Sequence, residues 1–93
     1  NPDAFAQELA ASLNNLALML RSCGRREEAL APAIETVKIS RELTRKNPDA
    51  FQPGLAIGLD TLAQVLSECG RGNEALDPAT ESVHIYKSLV KEA

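Results

Sequence analysis

The chain has 93 residues, enough for one small domain, and 44% of them are hydrophobic although only three are aromatic. Its formal net charge of −3 argues against nucleic acid as a partner, because neutralising phosphates requires clustered Lys and Arg side chains. No apolar run approaches the roughly 18 residues that span a bilayer, so we expect no membrane partner either.

An internal repeat organises the whole chain. The pentapeptide Asn-Pro-Asp-Ala-Phe at residues 1–5 returns at residues 47–51, and the chain continues to match itself at this offset of 46. Without a gap, 23 of the 46 aligned pairs are identical, and they include Gly, Pro and Cys at one shared offset. The sequence therefore predicts two copies of one unit, repeat 1 (residues 1–46) and repeat 2 (residues 47–93).

Repeat 1 has the apolar spacing of two α-helices, which we expect at about residues 4–23 and 26–46. Asp3 is the predicted N-cap of the first helix, and Gly24 is expected to end that helix in a left-handed conformation. Pro32 is expected to bend the second helix toward the first. The first helix carries an apolar stripe that is predicted to form core: Phe5, Leu9, Leu13, Leu16 and Leu20. The stripe of the second helix consists of Ala29, Leu30, Ala33, Val37 and Leu43.

Repeat 2 follows the same pattern, with helices expected at about residues 51–69 and 72–92. The segment Gln52-Pro53-Gly54 predicts a late helix start, with Pro53 as the first helical residue. Gly58 stands where repeat 1 has Ser12, and it lowers the helix propensity of this segment. No segment alternates with a period of two for long enough to predict a strand. The predicted fold class is all-α, with four antiparallel helices in two tandem helix–turn–helix repeats.

Side chains suited to catalysis or metal binding are few and far apart. His84 is the only histidine, and Lys38 takes its place in repeat 1, so a surface role is favoured over a nucleophile–histidine pair. Two separated Cys residues and one His have no zinc-ligand spacing, and there is no Gly-rich phosphate loop. We therefore expect no enzymatic activity, no metal and no other cofactor.

The two cysteines, Cys23 and Cys69, occupy the same place in each repeat. Positions a whole repeat apart are too distant for a disulfide, whose Cα atoms lie within about 7 Å. We predict two small buried thiols, and free thiols favour the reducing cytoplasm.

The pattern of large and small residues resembles the tetratricopeptide repeat family over the whole chain. The first helix has a large residue, a Leu, a small residue and a second large residue, and a turn Gly and two small residues follow. Leucines replace the family's usual aromatic residues. Repeat 1 supplies Leu13, Leu16, Ala17, Leu20, Gly24, Ala29 and Ala33, and repeat 2 supplies Leu59, Leu62, Ala63, Leu66, Gly70, Ala75 and Ala79.

The period of 46 exceeds the usual length of about 34 residues. In this the chain resembles the longer variety of kinesin light chains and, still more, the repeat arrays of STAND-class signalling ATPases. The resemblance implies a fragment of a right-handed superhelical solenoid that binds a protein or peptide without catalysis. The alternative is a passive structural or self-association segment of a larger signalling ATPase.

The resemblance also implies where a partner binds, on a concave face lined by the first helix of each repeat. Asn15 falls where such repeats often hold an extended peptide backbone, since an amide both donates and accepts. Asn14 and Asp60 stand where one subtype places a Lys that clamps a carboxylate, which argues against chaperone C-termini. The implied partner-binding residues are Asn14, Asn15, Leu18, Arg21, Asp60, Thr61, Gln64 and Glu68.

Two repeats predict incomplete burial. Solenoid units bury their apolar faces mainly on neighbours, so about three or more are normally needed. We therefore expect self-association through the open repeat ends, by end-to-end stacking or by exchange of helices. Repeat 1 carries a net charge of +1 and repeat 2 of −4, a difference that favours head-to-tail contact or reflects drift of solvated residues.

Overall fold

A computed structural model describes residues 1–92, which form four α-helices of 21 residues each. Each helix packs against the next along the chain, and α1 also meets α3. The described residues therefore form two stacked helical hairpins with no strand, which confirms the predicted fold class. The helices are α1 (Pro2–Ser22), α2 (Arg26–Lys46), α3 (Pro48–Glu68) and α4 (Gly72–Glu92).

Both hairpins begin at an asparagine and a proline. The side chain of Asn1 accepts a hydrogen bond from the backbone N–H of Asp3 at 3.0 Å, and Asn47 accepts one from Ala50 at 3.3 Å. The prediction of Asp3 as N-cap is therefore wrong. Asp3 lies in the first turn, where its carboxylate faces the positive end of the helix dipole.

The start of α3 also differs from the sequence-based prediction. The helix begins at Pro48 and continues through Pro53, so Pro53 is not its first residue. Because proline has no N–H, the carbonyl four residues earlier, at Asp49, loses its helical donor. Asp49 and Pro53 are both exposed, so water can satisfy that carbonyl at little cost.

The turn inside each hairpin is closed by a glycine, as predicted. Gly24 and Gly70 adopt φ angles of 77° and 78°, a left-handed conformation in which a side chain would be strained. The N–H of Arg25 donates to the carbonyl of Leu20 at 2.9 Å, and the carbonyl of Arg21 accepts from Gly24. This pair of bonds is a Schellman motif, and it recurs around Gly70.

Small residues bring the helices close together. Ala17, Ala29 and Ala33 are fully buried and pack with Val65, so α1, α2 and α3 meet in one cluster. A second cluster joins α2, α3 and α4. The α2 stripe is confirmed as core, since all its members are buried except Leu30, which is half-buried. The second cluster contains Val37, Leu55, Ala56, Leu59 and Ile85.

The prediction that the α1 stripe forms core is wrong for three of its members, since Phe5, Leu9 and Leu16 are exposed. Leu9 is 49% exposed, whereas Leu55, at the equivalent place in α3, is 4% exposed. The reason is the number of neighbours: α3 packs between α2 and α4, whereas α1 packs on α2 and meets only part of α3.

The prediction that both cysteine thiols are buried is also wrong. Both cysteines are free, but Cys23 is exposed and Cys69 is half-buried, so neither is a fully buried thiol. Burial raises the pKa of Cys69, and Glu27 adds to the effect through its charge and a hydrogen bond.

Candidate functional site

A groove of about 290 Å³ opens between α1 and α3, with α2 as its base. Its walls are mostly apolar, and polar groups are concentrated on α1 and α2. We call this cavity the concave groove. It is lined by Gln7, Ala10, Ala11, Asn14 and Asn15 of α1, by Thr36, Ser40 and Leu43 of α2, and by Phe51, Gly54 and Ile57 of α3.

Asn14 is the polar centre of the concave groove. Its helical register turns the side chain toward α2 and α3, and the residue is only 9% exposed. Its Oδ1 atom is buried without a hydrogen-bond partner among residues 1–92. A buried acceptor left unpaired costs about 1–3 kcal/mol, so a donor that reached this atom would be favoured.

At the base of the groove, the backbone already engages one side-chain hydroxyl. Thr36 uses its hydroxyl to donate to the carbonyls of Ala10 (3.3 Å) and Pro32 (2.9 Å). Ala11 and Ile57 form apolar walls beside Asn15, whose amide is exposed. The arrangement suits a ligand with apolar side chains and free N–H donors, such as an extended peptide.

The remaining predicted site residues lie further along the same face, and most of them pair with each other. Arg21 Nε donates to Glu68 Oε1 at 2.7 Å, joining α1 to α3. This hydrogen bond raises the pKa of Arg21 and lowers that of Glu68, and the charge of Asp60 also raises the pKa of Arg21. Gln64 Nε2 donates to Asp60 Oδ2 at 3.2 Å.

The structure thus divides the eight predicted residues. Asn14 and Asn15 line the concave groove, whereas Arg21, Gln64 and Glu68 line a shallower depression toward the α3–α4 turn. Thr61 is buried and Leu18 is half-buried, so both offer little surface to a partner, and the exposed Asp60 lines neither cavity.

Sequence reasoning missed the groove residues outside the family's usual first-helix positions. Thr36 and Ser40 of α2 form part of the base, while Phe51 and Gly54 belong to the wall of α3. The sequence did contain an indication of these α2 residues, because the small polar side chains of Thr36 and Ser40 interrupt the apolar stripe of that helix. That interruption indicates a place where two helices approach a polar surface.

Within residues 1–92, no three His, Cys, Asp or Glu side chains are grouped closely enough to hold a metal ion. None of the four helices combines the length and the hydrophobicity that crossing a bilayer requires.

Comparison with known proteins gives one clear match. The model of the family described as "Tetratricopeptide repeat" matches residues 9–49 and residues 56–92, which is most of the chain. No curated protein and no solved structure matches the chain significantly. The first matched segment extends three residues beyond the end of repeat 1 and the second lies within repeat 2, in agreement with the resemblance to this family.

Proposed function

The chain belongs to the tetratricopeptide repeat family, whose repeats generally serve as protein-interaction scaffolds, and on that premise we propose that it binds a protein or peptide in the concave groove. The proposed module is non-catalytic and part of a longer array. Its binding surface consists of the residues that line the groove and of the residues predicted from the sequence. The predicted residues are Asn14, Asn15, Leu18, Arg21, Asp60, Thr61, Gln64 and Glu68.

The observation that carries this proposal is the unpaired Oδ1 atom of Asn14. A core position with no functional demand would favour Leu, which has the same number of side-chain heavy atoms and no polar atom. Asn14 instead presents a buried acceptor at a groove that the apolar Ala11 and Ile57 also line. Rotation of the Asn14 amide would turn this acceptor to the groove surface, where a backbone N–H from an extended peptide would satisfy it while the peptide side chains covered the apolar walls.

The test is selection from a library of random peptides displayed on phage, followed by affinity measurement on Asn14→Leu. We expect the selected peptides to bind about tenfold more weakly to this variant, a loss of about 1.4 kcal/mol. The free energy of unfolding should rise by about 1 kcal/mol, because the unpaired buried acceptor is removed.

Asn73→Leu is the matched control, since Asn73 is exposed near the start of α4, outside the groove. It should leave peptide affinity unchanged. Joint replacement of Asn15, Arg21 and Gln64 by Ala extends the test along the face. If the selected peptides bind Asn14→Leu and the triple variant as well as the original chain, the concave groove is not the binding site.

A second proposal follows from the exposed apolar side chains of the two outer helices. We propose that, where no further repeat covers these two faces, the chain also self-associates through them, or that it serves as a structural segment of a larger signalling ATPase. Supporting it, Leu9, Leu16 and Met19 of α1 are exposed, as are Leu76 and Val83 of α4. Contiguous exposed apolar side chains on two helices are typical of interaction surfaces.

We also propose the cytoplasm as the compartment of the protein. Cys23 and Cys69 are both free thiols, and Cys23 is exposed. An exposed thiol persists more readily in a reducing compartment than in an oxidising one. Mass spectrometry after rapid alkylation in cells would test this, because oxidised thiols would contradict it.

A further inference from the structure

The two outer helices carry complementary surfaces, which we call the α1 end face and the α4 end face. The α1 end face presents the exposed Leu9, Leu16 and Met19. Their counterparts in repeat 2, one period of 46 later, are packed against α2. The α4 end face presents exposed apolar side chains whose counterparts in α2 include packing partners of α3: Leu76, Val83, Tyr86 and Val90.

The junction between α2 and α3 is a template for how these two end faces fit. At that junction Val65 packs on Ala29 and Ala33, and Leu55 packs on Val37. One period of 46 after Ala29, Ala33 and Val37, helix α4 has the equivalent residues Ala75, Ala79 and Val83. One period before Leu55 and Val65, helix α1 has the equivalent residues Leu9 and Met19. The α4 end face of one copy therefore offers the α1 end face of another copy nearly the same apolar partners.

The fit extends to the closest helix approach. A Cβ atom at Gly58 would lie 3.0 Å from Thr36 Cγ2, so the internal junction is tight at this point and favours glycine opposite threonine. Between copies the same two places hold Ser12 and Ser82. Serine at 82 lacks the methyl group of Thr36, which leaves room for the Cβ atom of Ser12. Ser12 on the α1 end face is larger than its counterpart Gly58, and this increase is matched by Ser82 on the α4 end face, which is smaller than its counterpart Thr36.

Charge is matched in the same way. The internal junction is bridged by Arg41 and Glu81, whose two hydrogen bonds measure 2.8 and 3.0 Å. The equivalent places between copies hold Lys87 and Glu35. The cation again belongs to the copy that contributes its α4 end face, and the carboxylate belongs to the copy that contributes its α1 end face. Both side chains are exposed, and neither forms an ion pair within the part of the chain that the structure describes.

From these three correspondences we infer that copies of the chain associate head to tail, the α4 end face of one copy packing on the α1 end face of the next as α2 packs on α3. This inference rests on the second proposal above and specifies its geometry. A head-to-tail contact leaves one face of each kind free, so association is open-ended rather than closed at a dimer.

The concave groove does not recur between copies. Tyr86 stands where the groove base has Ser40, and Glu8 stands where its wall has Gly54. Both replacements are larger, so the junction between copies is filled by side chains. Peptide binding in the groove and association of copies therefore use different residues and are measured separately.

The test is sedimentation analysis of the chain at increasing concentration, with two blocking variants. Met19→Glu places a charge on the α1 end face, and Val83→Glu places one on the α4 end face. Each side chain is exposed in the single copy, so folding should survive, as checked by circular dichroism. We expect each variant alone to associate about a hundredfold more weakly than the original chain.

Mixing the two variants separates head-to-tail association from every symmetric arrangement. Met19→Glu retains its α4 end face and Val83→Glu its α1 end face, so the mixture should form a heterodimer and stop there. The control is Ile34→Glu, an exposed apolar residue of α2 that belongs to neither end face, which should associate like the original chain.

Charge exchange tests the register. Lys87→Glu and Glu35→Lys should each weaken association about five- to tenfold, and a chain carrying both substitutions should recover it. A monomer at all concentrations would overturn self-association as a whole. Closed dimers of a single blocking variant, or a charge-exchanged chain that fails to recover, would overturn the head-to-tail geometry. None of these outcomes bears on peptide binding to the groove.

Discussion

Helices α1 and α3 begin with the same four residues, have the same length and end at the same type of glycine turn, yet their apolar side chains differ in burial. Met19 is 66% exposed, whereas Val65, at the equivalent place, is fully buried. The difference arises from neighbours, because α3 lies between two helices and α1 packs on one and part of another. In a repeat fold, an apolar stripe predicts which face of a helix packs, but its burial depends on whether a further helix is present.

Helices α2 and α4 show the same difference in the opposite direction. Val37 is buried against α3, whereas Val83 is exposed. The two inner helices thus hold most of the core, and the outer helices each retain one uncovered face. We expect stability to be distributed accordingly, with equivalent substitutions costing more in α3 than in α1.

Truncation of the matched leucines should give the largest difference. Leu55→Ala removes a buried side chain beside Val37 and should lower the free energy of unfolding by about 3 kcal/mol. Leu9→Ala, at the equivalent place in α1, should lower the free energy of unfolding by about 1 kcal/mol or less, because that side chain is already half exposed to solvent. Urea denaturation at low protein concentration measures both. Equal losses would show that α1 is as well packed as α3.

The second difference concerns the glycine of α3. Gly58→Ala improves helix propensity but places a Cβ atom 3.0 Å from Thr36 Cγ2, so we expect a net loss of about 1 kcal/mol. Ser12→Ala, at the exposed equivalent place, should stabilise the chain by a few tenths of a kcal/mol.

A double-mutant cycle identifies the cause of the Gly58 effect. Thr36→Ser removes the methyl group that the new Cβ atom meets, so Gly58→Ala should become neutral or stabilising in that background. Additive losses from the two substitutions would place the cost elsewhere than in this contact.

The sequence alone was sufficient for the fold because its signals agreed at several levels. The 46-residue offset, the helical spacing and the turn glycines all predicted two hairpins, and the left-handed Gly24 and Gly70 confirm the turns. The helix starts were harder to predict. Asn1 and Asp3 are both good capping residues two positions apart, and only the observed hydrogen bond from Asp3 to Asn1 decides between them.

The smallest of the three effects concerns the ion pair between α2 and α4. The guanidinium of Arg41 holds the pKa of Glu81 below its usual 4.5 by hydrogen bonding. A lowered folded-state pKa means that the pair stabilises the fold above about pH 4.5 and that this contribution is lost as the pH falls through the folded pKa. Both side chains are more than a third exposed, so solvent screening limits the contribution to about 0.5 kcal/mol.

Glu81→Gln should therefore lower the free energy of unfolding by about 0.5 kcal/mol at neutral pH and make little difference at pH values well below 4.5. Glu35→Gln is the matched control from repeat 1, and in dilute solution it should have a smaller effect, because no ion pair includes Glu35 within residues 1–92. Thermal unfolding across this pH range measures both. A loss from Glu81→Gln that persists at low pH would assign it to packing rather than to charge.

The groove was only partly predictable from the sequence, for a physical reason. The family resemblance implied a surface formed by first helices, and Asn14 and Asn15 do line the groove. Burial of the Asn14 amide, however, depends on how closely α1, α2 and α3 approach. That distance depends on side-chain packing between helices, as at Gly58 and Thr36, which a periodic pattern does not contain.

Native-state hydrogen exchange of matched backbone amides tests most directly whether neighbours, rather than local sequence, set the stability of each repeat. In dilute solution we expect higher protection factors across residues 55–66 of α3 than across the equivalent residues 9–20 of α1. The gap should narrow as protein concentration rises and the α1 end face becomes covered. Equal protection of the two segments in dilute solution would contradict the account.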